Sequence, residues 1–153
     1  INEDGLELEE NIEIFYDSEG FAVTSDPEFL FRMGKLCAET GRFLEEGLLC
    51  LDDFLNIVNF NNVEETESVQ RLKAKSLYYV GLIFFKIKDE EMCEKYFNLI
   101  WTDLFELKEF EMHKEVEDIL GTIYSHKVIT LNPNYFYPEL YEHDCLNITA
   151  SFV

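Results

Sequence analysis

Leu77-Tyr78-Tyr79-Val80-Gly81-Leu82-Ile83-Phe84-Phe85 is the stretch that decides the fold. It lies in a segment running from about Ser68 to Lys86, which the spacing of apolar residues predicts to be helical. A helix that is apolar on nearly every side cannot face water and belongs at the centre of its domain. Reading outward, Asp89-Glu90-Glu91 supplies a capping oxygen and acids for the positive end of the next helix dipole. That helix is expected to run to about Trp101, with Met92, Cys93, Tyr96, Phe97 and Ile100 on one face. A fifth helix, from Thr102 or Leu107 to Ser125, carries Phe110, Val116, Ile119, Leu120 and Ile123. Leu131-Asn132-Pro133-Asn134 then makes a turn, and Tyr135-Phe136-Tyr137-Pro138 opens an aromatic tail expected to fold back.

On the other side, the polar run from Phe60 to Glu67 is a loop that ends in capping residues. Before it, Phe43, Gly47, Leu48, Leu51, Phe54, Leu55 and Val58 recur at three-four spacing and predict a helix to about Asn59. Gly41 breaks the chain ahead of that helix. Ser25-Asp26-Pro27-Glu28 combines a cap, a first-turn proline and an acid, so a further helix should span Pro27 to Glu39. Two helices joined by so short a link must lie antiparallel. Residues 1 to 20 hold eight acids and no base, with apolar residues partly alternating among them, which suits either an extended arm or an irregular helix.

Composition supports an all-α domain. Hydrophobic residues make up 47% of the 153 and aromatics 15%, ample for one core, while 3 Pro and 7 Gly are too few to punctuate many short strands. The 32 acids against 12 bases give a formal charge of -20, which repels phosphates and so disfavours nucleic acid or an anionic membrane. A protein partner with a basic surface fits, although acidity is also simply a well-solvated exterior. No apolar run approaches the roughly 18 residues of a membrane span, and no signal-peptide pattern opens the chain. Ile1 in place of Met reads as the start of a piece of something longer. Cys37, Cys50, Cys93 and Cys145 are widely spaced without a CxxC pair, as expected of reduced thiols in a cytosolic or nuclear protein. Asn147-Ile148-Thr149 matches a glycosylation sequon, with nothing else pointing to secretion.

One internal repeat stands out. Met33-Gly34, Val80-Gly81 and Leu120-Gly121 each place a bulky residue before a mid-helix glycine, with Cys37, Phe84 and Tyr124 three residues after it. Glycine weakens a helix by about 1 kcal/mol, so three in matched contexts suggest close approach of backbones; the alternative is an ordinary bundle in which they recur by accident. The pattern resembles the tetratricopeptide repeat, a stack of helix hairpins. Leu77, Val80-Gly81 and Phe84, followed by Cys93, Phe97 and Ile100, sit at that family's spacing. Leu30, Met33-Gly34, Cys37 and the turn glycine Gly41 match in a first unit, with Gly47, Leu51 and Phe54 following after one extra residue. A third unit keeps Leu120-Gly121 and Tyr124 but has Glu117 where a large apolar residue belongs. The likeness covers about residues 27 to 125, and its unit spacings of 47 and 40 exceed the family's 34, so related repeats with periods near 40 also fit. Domain organisation therefore reads as an acidic lead-in over 1–24, a tetratricopeptide-like short solenoid over 25–130, and an aromatic tail over 131–153 packed upon it.

The resemblance implies that the first helices of successive units line a concave groove for a peptide or helix of a partner. Carried over, the groove-facing residues are Phe31 and Lys35, then Lys75, Tyr78, Leu82, Phe85 and Lys86, then Thr122 and His126. The middle group is apolar with a lysine at each end, which suits an aromatic or aliphatic anchor beside acidic contacts; alternatively Leu82 and Phe85 are core. Phe31 and Lys35 stand where some members of the family place a Lys and Asn carboxylate clamp, so chaperone-tail binding is not expected. Phosphate-cradling loops, nucleophile elbows, HExxH and paired Cys or His ligands are all missing from the sequence, and we expect neither catalysis nor a cofactor. His143, Asp144 and Cys145 could touch one metal, though two good ligands in a tail are weak support. Two functions stand: a binding module that takes a peptide or helix in its groove, or a structural subunit whose surfaces are occupied within a larger assembly.

Overall fold

A computed structural model describes residues 26–60 and 66–131, and all of the regular structure there is helical. The five helices are α1 (Pro27–Thr40), α2 (Leu44–Phe60), α3 (Glu67–Lys86), α4 (Glu90–Glu106) and α5 (Phe110–Leu131). The acidic lead-in, the aromatic tail beyond Leu131, the sequon and the His143–Cys145 group lie outside the described residues. The chain divides into two compact units, residues 1–116 and 117–153, with the boundary inside α5.

Helix starts fall where capping oxygens stand. Asp26 accepts from the Glu28 amide at 3.1 Å, Thr66 from Val69 at 3.3 Å and Asp89 from Met92 at 3.2 Å. Each satisfies one of the amides that a first turn leaves without a helical partner. Gly41 closes α1 in the left-handed region, φ 73°, which glycine enters without a Cβ clash. Phe43, expected as the first residue of α2, instead takes φ 53° in the link, because three residues must reverse the chain. The ends of α3 and α4 are built alike. Lys88 (φ 72°) and Lys108 (φ 63°) adopt the left-handed cap, while Asp89 donates to the Phe84 carbonyl and Glu109 to that of Leu104. Neither turn contains glycine or proline to mark it in the sequence, and α4 runs on to Glu106, beyond the expected end near Trp101; α5 likewise continues past Ser125 to Leu131.

Packing in the first unit follows from the glycines. A Cβ on Gly34 would overlap the Leu51 side chain, and one on Gly47 would sit 2.6 Å from Cys37 Cβ. Moving up α1 thus means moving down α2, as an antiparallel hairpin requires. Leu30, Met33, Leu36, Cys37, Cys50 and Phe54 form the core between them. The second hairpin repeats the device: the Phe97 ring occupies the space a Gly81 side chain would need, and Phe84 stacks on Tyr96 at 5.7 Å. Between hairpins, Phe31 meets the edge of Tyr79 at 6.0 Å, and Lys86 Nζ donates to the Ala38 carbonyl, 48 residues away. Both pairs have that separation, so α1 and α3 run parallel. Arg71 to Glu109 and Tyr78 to Glu115, separated by 38 and 37 residues, make α5 parallel to α3 as well.

α4 meets the start of α5 through rings. Trp101 lies 5.1 Å from His113, and Phe105 lies 5.6 Å from Phe110 and 5.3 Å from His113. In the second unit Ile123 is buried, whereas Tyr124 and Ile129 are exposed. Among the described residues a Cβ on Gly121 would meet no atom within 4 Å. Among the described residues no helix is long and apolar enough to cross a membrane.

Candidate functional site

α1, α3 and the first turns of α5 up to Val116, all within the first unit, flank a groove of about 390 Å³. Its floor is α3, which presents Tyr78, Tyr79 and Leu82, with Lys86 at one end. These residues face one way because positions four apart share a helix face and adjacent Tyr78 and Tyr79 straddle it. Glu39 from the last turn of α1 forms one wall, and Glu111, Met112 and Glu115 from the first turns of α5 form the other.

The floor is tightly held. Tyr78 is 4% exposed, stacks on Phe97 at 6.0 Å and donates its hydroxyl proton to Glu115. Burial, then the hydrogen bond to Glu115, push the Tyr78 phenol above its ordinary range; burial and then Glu39 do the same to Tyr79. Both therefore stay protonated and neutral at physiological pH. Tyr79, also 4% exposed, meets the rings of Phe31 and Tyr78, yet among the described residues its hydroxyl has no hydrogen bond. Leu82 is 7% exposed.

The two lysines of the α3 stripe are already engaged. Lys86 donates to the carbonyls of Ala38 and Glu39, which end α1 and carry the negative pole of its dipole. Lys75 lies 3.5 Å from Glu109, which also accepts from Arg71. Burial alone would raise the Glu109 carboxyl, but the Arg71 hydrogen bond and the Lys75 charge outweigh it and hold it below the ordinary value. Glu111 makes no ion pair among the described residues.

Of the other residues singled out from sequence, Phe31 is half-buried against Phe54 (5.4 Å) and Tyr79. Lys35 lies 3.9 Å from Glu39, and Phe85 is half-buried. Thr122 and His126 lie in the second unit, both exposed; the Thr122 hydroxyl donates to the Asp118 carbonyl at 3.1 Å. The structure thus brings Tyr78, Leu82 and Lys86 together and adds Tyr79, Glu39, Glu111, Met112 and Glu115, which sequence reasoning missed. The missing signal was register. The third unit was framed on Gly121, 40 residues after Gly81, whereas α5 contacts α3 at separations of 37 and 38.

Two further hollows have different characters. A cleft of about 790 Å³ lies between the first half of α3 and the last turns of α4, with Gln70, Lys73, Asp103 and Glu106 on its walls. A smaller one, about 240 Å³, is apolar and lined by Leu48, Leu55, Val80 and Phe84. Among the described residues neither is lined by a His, Cys or Ser. Among the described residues no group of three His, Cys, Asp or Glu is placed to hold a metal ion. Cys37 and Cys93 are fully buried, and burial, reinforced by Glu46 and Glu90 respectively, pushes each thiol up to about 12. Thiols so raised are poor nucleophiles at neutral pH.

No protein-family model, curated protein or solved structure matches the chain.

Proposed function

We propose that the protein is an interaction module, not an enzyme, whose helices α1 to α5 stack in the manner of tetratricopeptide repeats and whose groove holds a segment of another protein. The observation that carries this reading is the groove itself. It is formed by α1, α3 and α5, the three parallel helices, and floored by Tyr78 and Leu82 of the central stripe. Aromatic and aliphatic groups beside charged walls are the usual make-up of a peptide-binding groove. The stacking is supported by the two glycine interlocks, Gly34 on Leu51 and Gly81 on Phe97, and by the parallel course of alternate helices. Buried, reduced cysteines suit the cytoplasm or nucleus.

Tyr78 and Leu82 are too buried to be replaced without disturbing the core, so the test belongs at the groove wall. A benzophenone amino acid at Met112, introduced into the full chain in cells, is expected to cross-link a segment of one partner. The same group at Leu49, an exposed residue of α2, is expected to leave that partner uncaptured. Capture from Leu49 and not from Met112 overturns the groove assignment.

A second reading, a structural subunit, draws on a different surface. Phe105 and Phe110 are 57% and 55% exposed, and with Trp101 they gather apolar area around His113 where α4 turns into α5. Stacked repeats need their open ends covered. Sedimentation of the isolated chain separates the two: a monomer at all concentrations favours the module, and self-association that disappears on changing Phe105 to Ser favours the subunit.

A further inference from the structure

Resting on the groove proposed above, we infer that its preferred occupant is an arginine side chain carried by the partner segment. The acidic composition fits a basic partner, whereas the lysines at both ends of the α3 stripe suggest acidic contacts at the groove itself. In the folded protein those lysines are used internally, Lys75 by Glu109 and Lys86 by the carbonyl end of α1. The groove lining holds three carboxylates, Glu111 without an ion pair among the described residues, Glu39 only loosely paired with Lys35 at 3.9 Å and Glu115 accepting a single hydroxyl from Tyr78, against one lining ammonium, Lys86, that is already engaged.

A second observation points to a donor. Tyr79 lines the groove at 4% residue exposure, its phenol close enough to Glu39 and Glu115 of the walls to feel their charges, and its hydroxyl has no hydrogen bond among the described residues. Buried polar groups nearly always have a partner, and a tyrosine hydroxyl can accept as well as donate. Carboxylates and a phenol oxygen are all acceptors, so the complementary ligand is rich in N–H. A metal ion is not the match, since the carboxylates are too dispersed to hold one. Guanidinium offers five donors in a plane and stacks on aromatic rings, whereas ammonium offers three around a point. Acceptors on both walls above a tyrosine floor favour the former. The formal charge of -20 would draw a cationic segment in from a distance, and the groove would select it on contact.

The test uses the isotope-labelled full chain and three probes: acetyl-Ala-Leu-Arg-Leu-Ala-amide, its lysine counterpart and its citrulline counterpart, which keeps the shape of arginine without the charge. Amide shifts of Tyr79, Glu111 and Met112 report binding. The arginine probe is expected to saturate these shifts about tenfold more tightly than the citrulline probe, with lysine between them. Glu111→Gln should weaken the arginine probe roughly threefold to fivefold, while a control double change of exposed acids elsewhere, Glu45→Gln with Glu91→Gln, leaves it unchanged. Tyr79→Phe should weaken it about threefold without lowering Tm, because the hydroxyl removed has no partner among the described residues. A lowered Tm for Tyr79→Phe overturns the inference. Equal response to arginine and citrulline at the groove also overturns it but leaves the peptide groove standing. Absence of groove shifts with every probe overturns both.

Discussion

The first two hairpins and the fifth helix carry the same sequence device with different outcomes. Gly34 and Gly81 each lie under a large side chain of the following helix, Leu51 and Phe97, and both are buried. Gly121 has a bulky neighbour before it and an aromatic three residues after, yet it is exposed, and no atom of the described residues lies within 4 Å of where a Cβ would stand. A mid-helix glycine is thus a request for a neighbour that local sequence makes but cannot fulfil. What distinguishes the sites is the helix that follows. α2 brings Leu51 and α4 brings Phe97, whereas the described chain ends with α5 itself.

The sharpest way to break this contrast is to empty the space over Gly81. Phe97 is fully buried, and Phe97→Ala is expected to lose about 3–5 kcal/mol in chemical denaturation, removing both the lid on Gly81 and the ring stacked on Tyr78. Filling the glycine whose neighbour is least able to move comes next. Gly47→Ala would press a methyl against Cys37 Cβ, which is fixed to the backbone, and against Ile83 Cδ1 at 3.1 Å. A loss of about 1–3 kcal/mol follows from overpacking of this kind, visible as a lower denaturation midpoint with an unchanged slope. Gly121→Ala should act in the opposite direction. With room for the methyl and a helical backbone, it gains up to about 1 kcal/mol of helix stability, read as a higher Tm for the circular dichroism signal at 222 nm. If Gly47→Ala and Gly121→Ala shift stability in the same direction, the distinction between the two regions is lost.

The smallest expected effect sharpens how α5 is attached. The folded-state carboxyl of Glu109 is held below its ordinary value by Arg71 and Lys75, after allowance for the opposing effect of burial. A depressed carboxyl contributes stability that is complete above the unfolded-state value, about 4.5, and is lost as pH falls through the folded-state value. Glu109→Gln should therefore lower stability at pH 7 by less than about 1 kcal/mol, since water screens part of the interaction. The difference from wild type should close as pH drops below 4.5, in denaturation curves taken across that range. A constant difference at all pH values would mean that Glu109 acts through packing and not through its charge.

How much was legible in the sequence varies with the kind of signal. Asp26, Thr66 and Asp89 announce helix starts because the capping oxygen acts on amides two or three residues away, a purely local relation. Helix ends were harder. Lys88 and Lys108 adopt a conformation that glycine would mark plainly, and lysine does not; only the recurrence of Phe-x-x-Lys-acid, at Phe85 and at Phe105, distinguishes them. The central stripe of α3 identified Tyr78, Leu82 and Lys86, which the structure does place together. The wall from α5 was out of reach because register between helices is set by contacts such as Arg71 with Glu109 and Tyr78 with Glu115. Counting from Gly121 therefore led to Thr122 and His126, whereas Glu111, Met112 and Glu115 are the α5 residues that line the groove. The engagement of Lys86 was out of reach for a related reason: that it donates to a carbonyl 48 residues away is a fact of tertiary structure alone.

The matching left-handed lysines on either side of α4 have a consequence for how such a chain can change length. Each is an elbow that turns the chain back on itself, and two in succession restore its original heading. Any stretch bounded by elbows of this form can be copied or excised in pairs of rods without altering the direction in which the remainder travels. Growth by duplication then requires no new corner to evolve, only a fresh rod whose bulky residue lands over a waiting glycine.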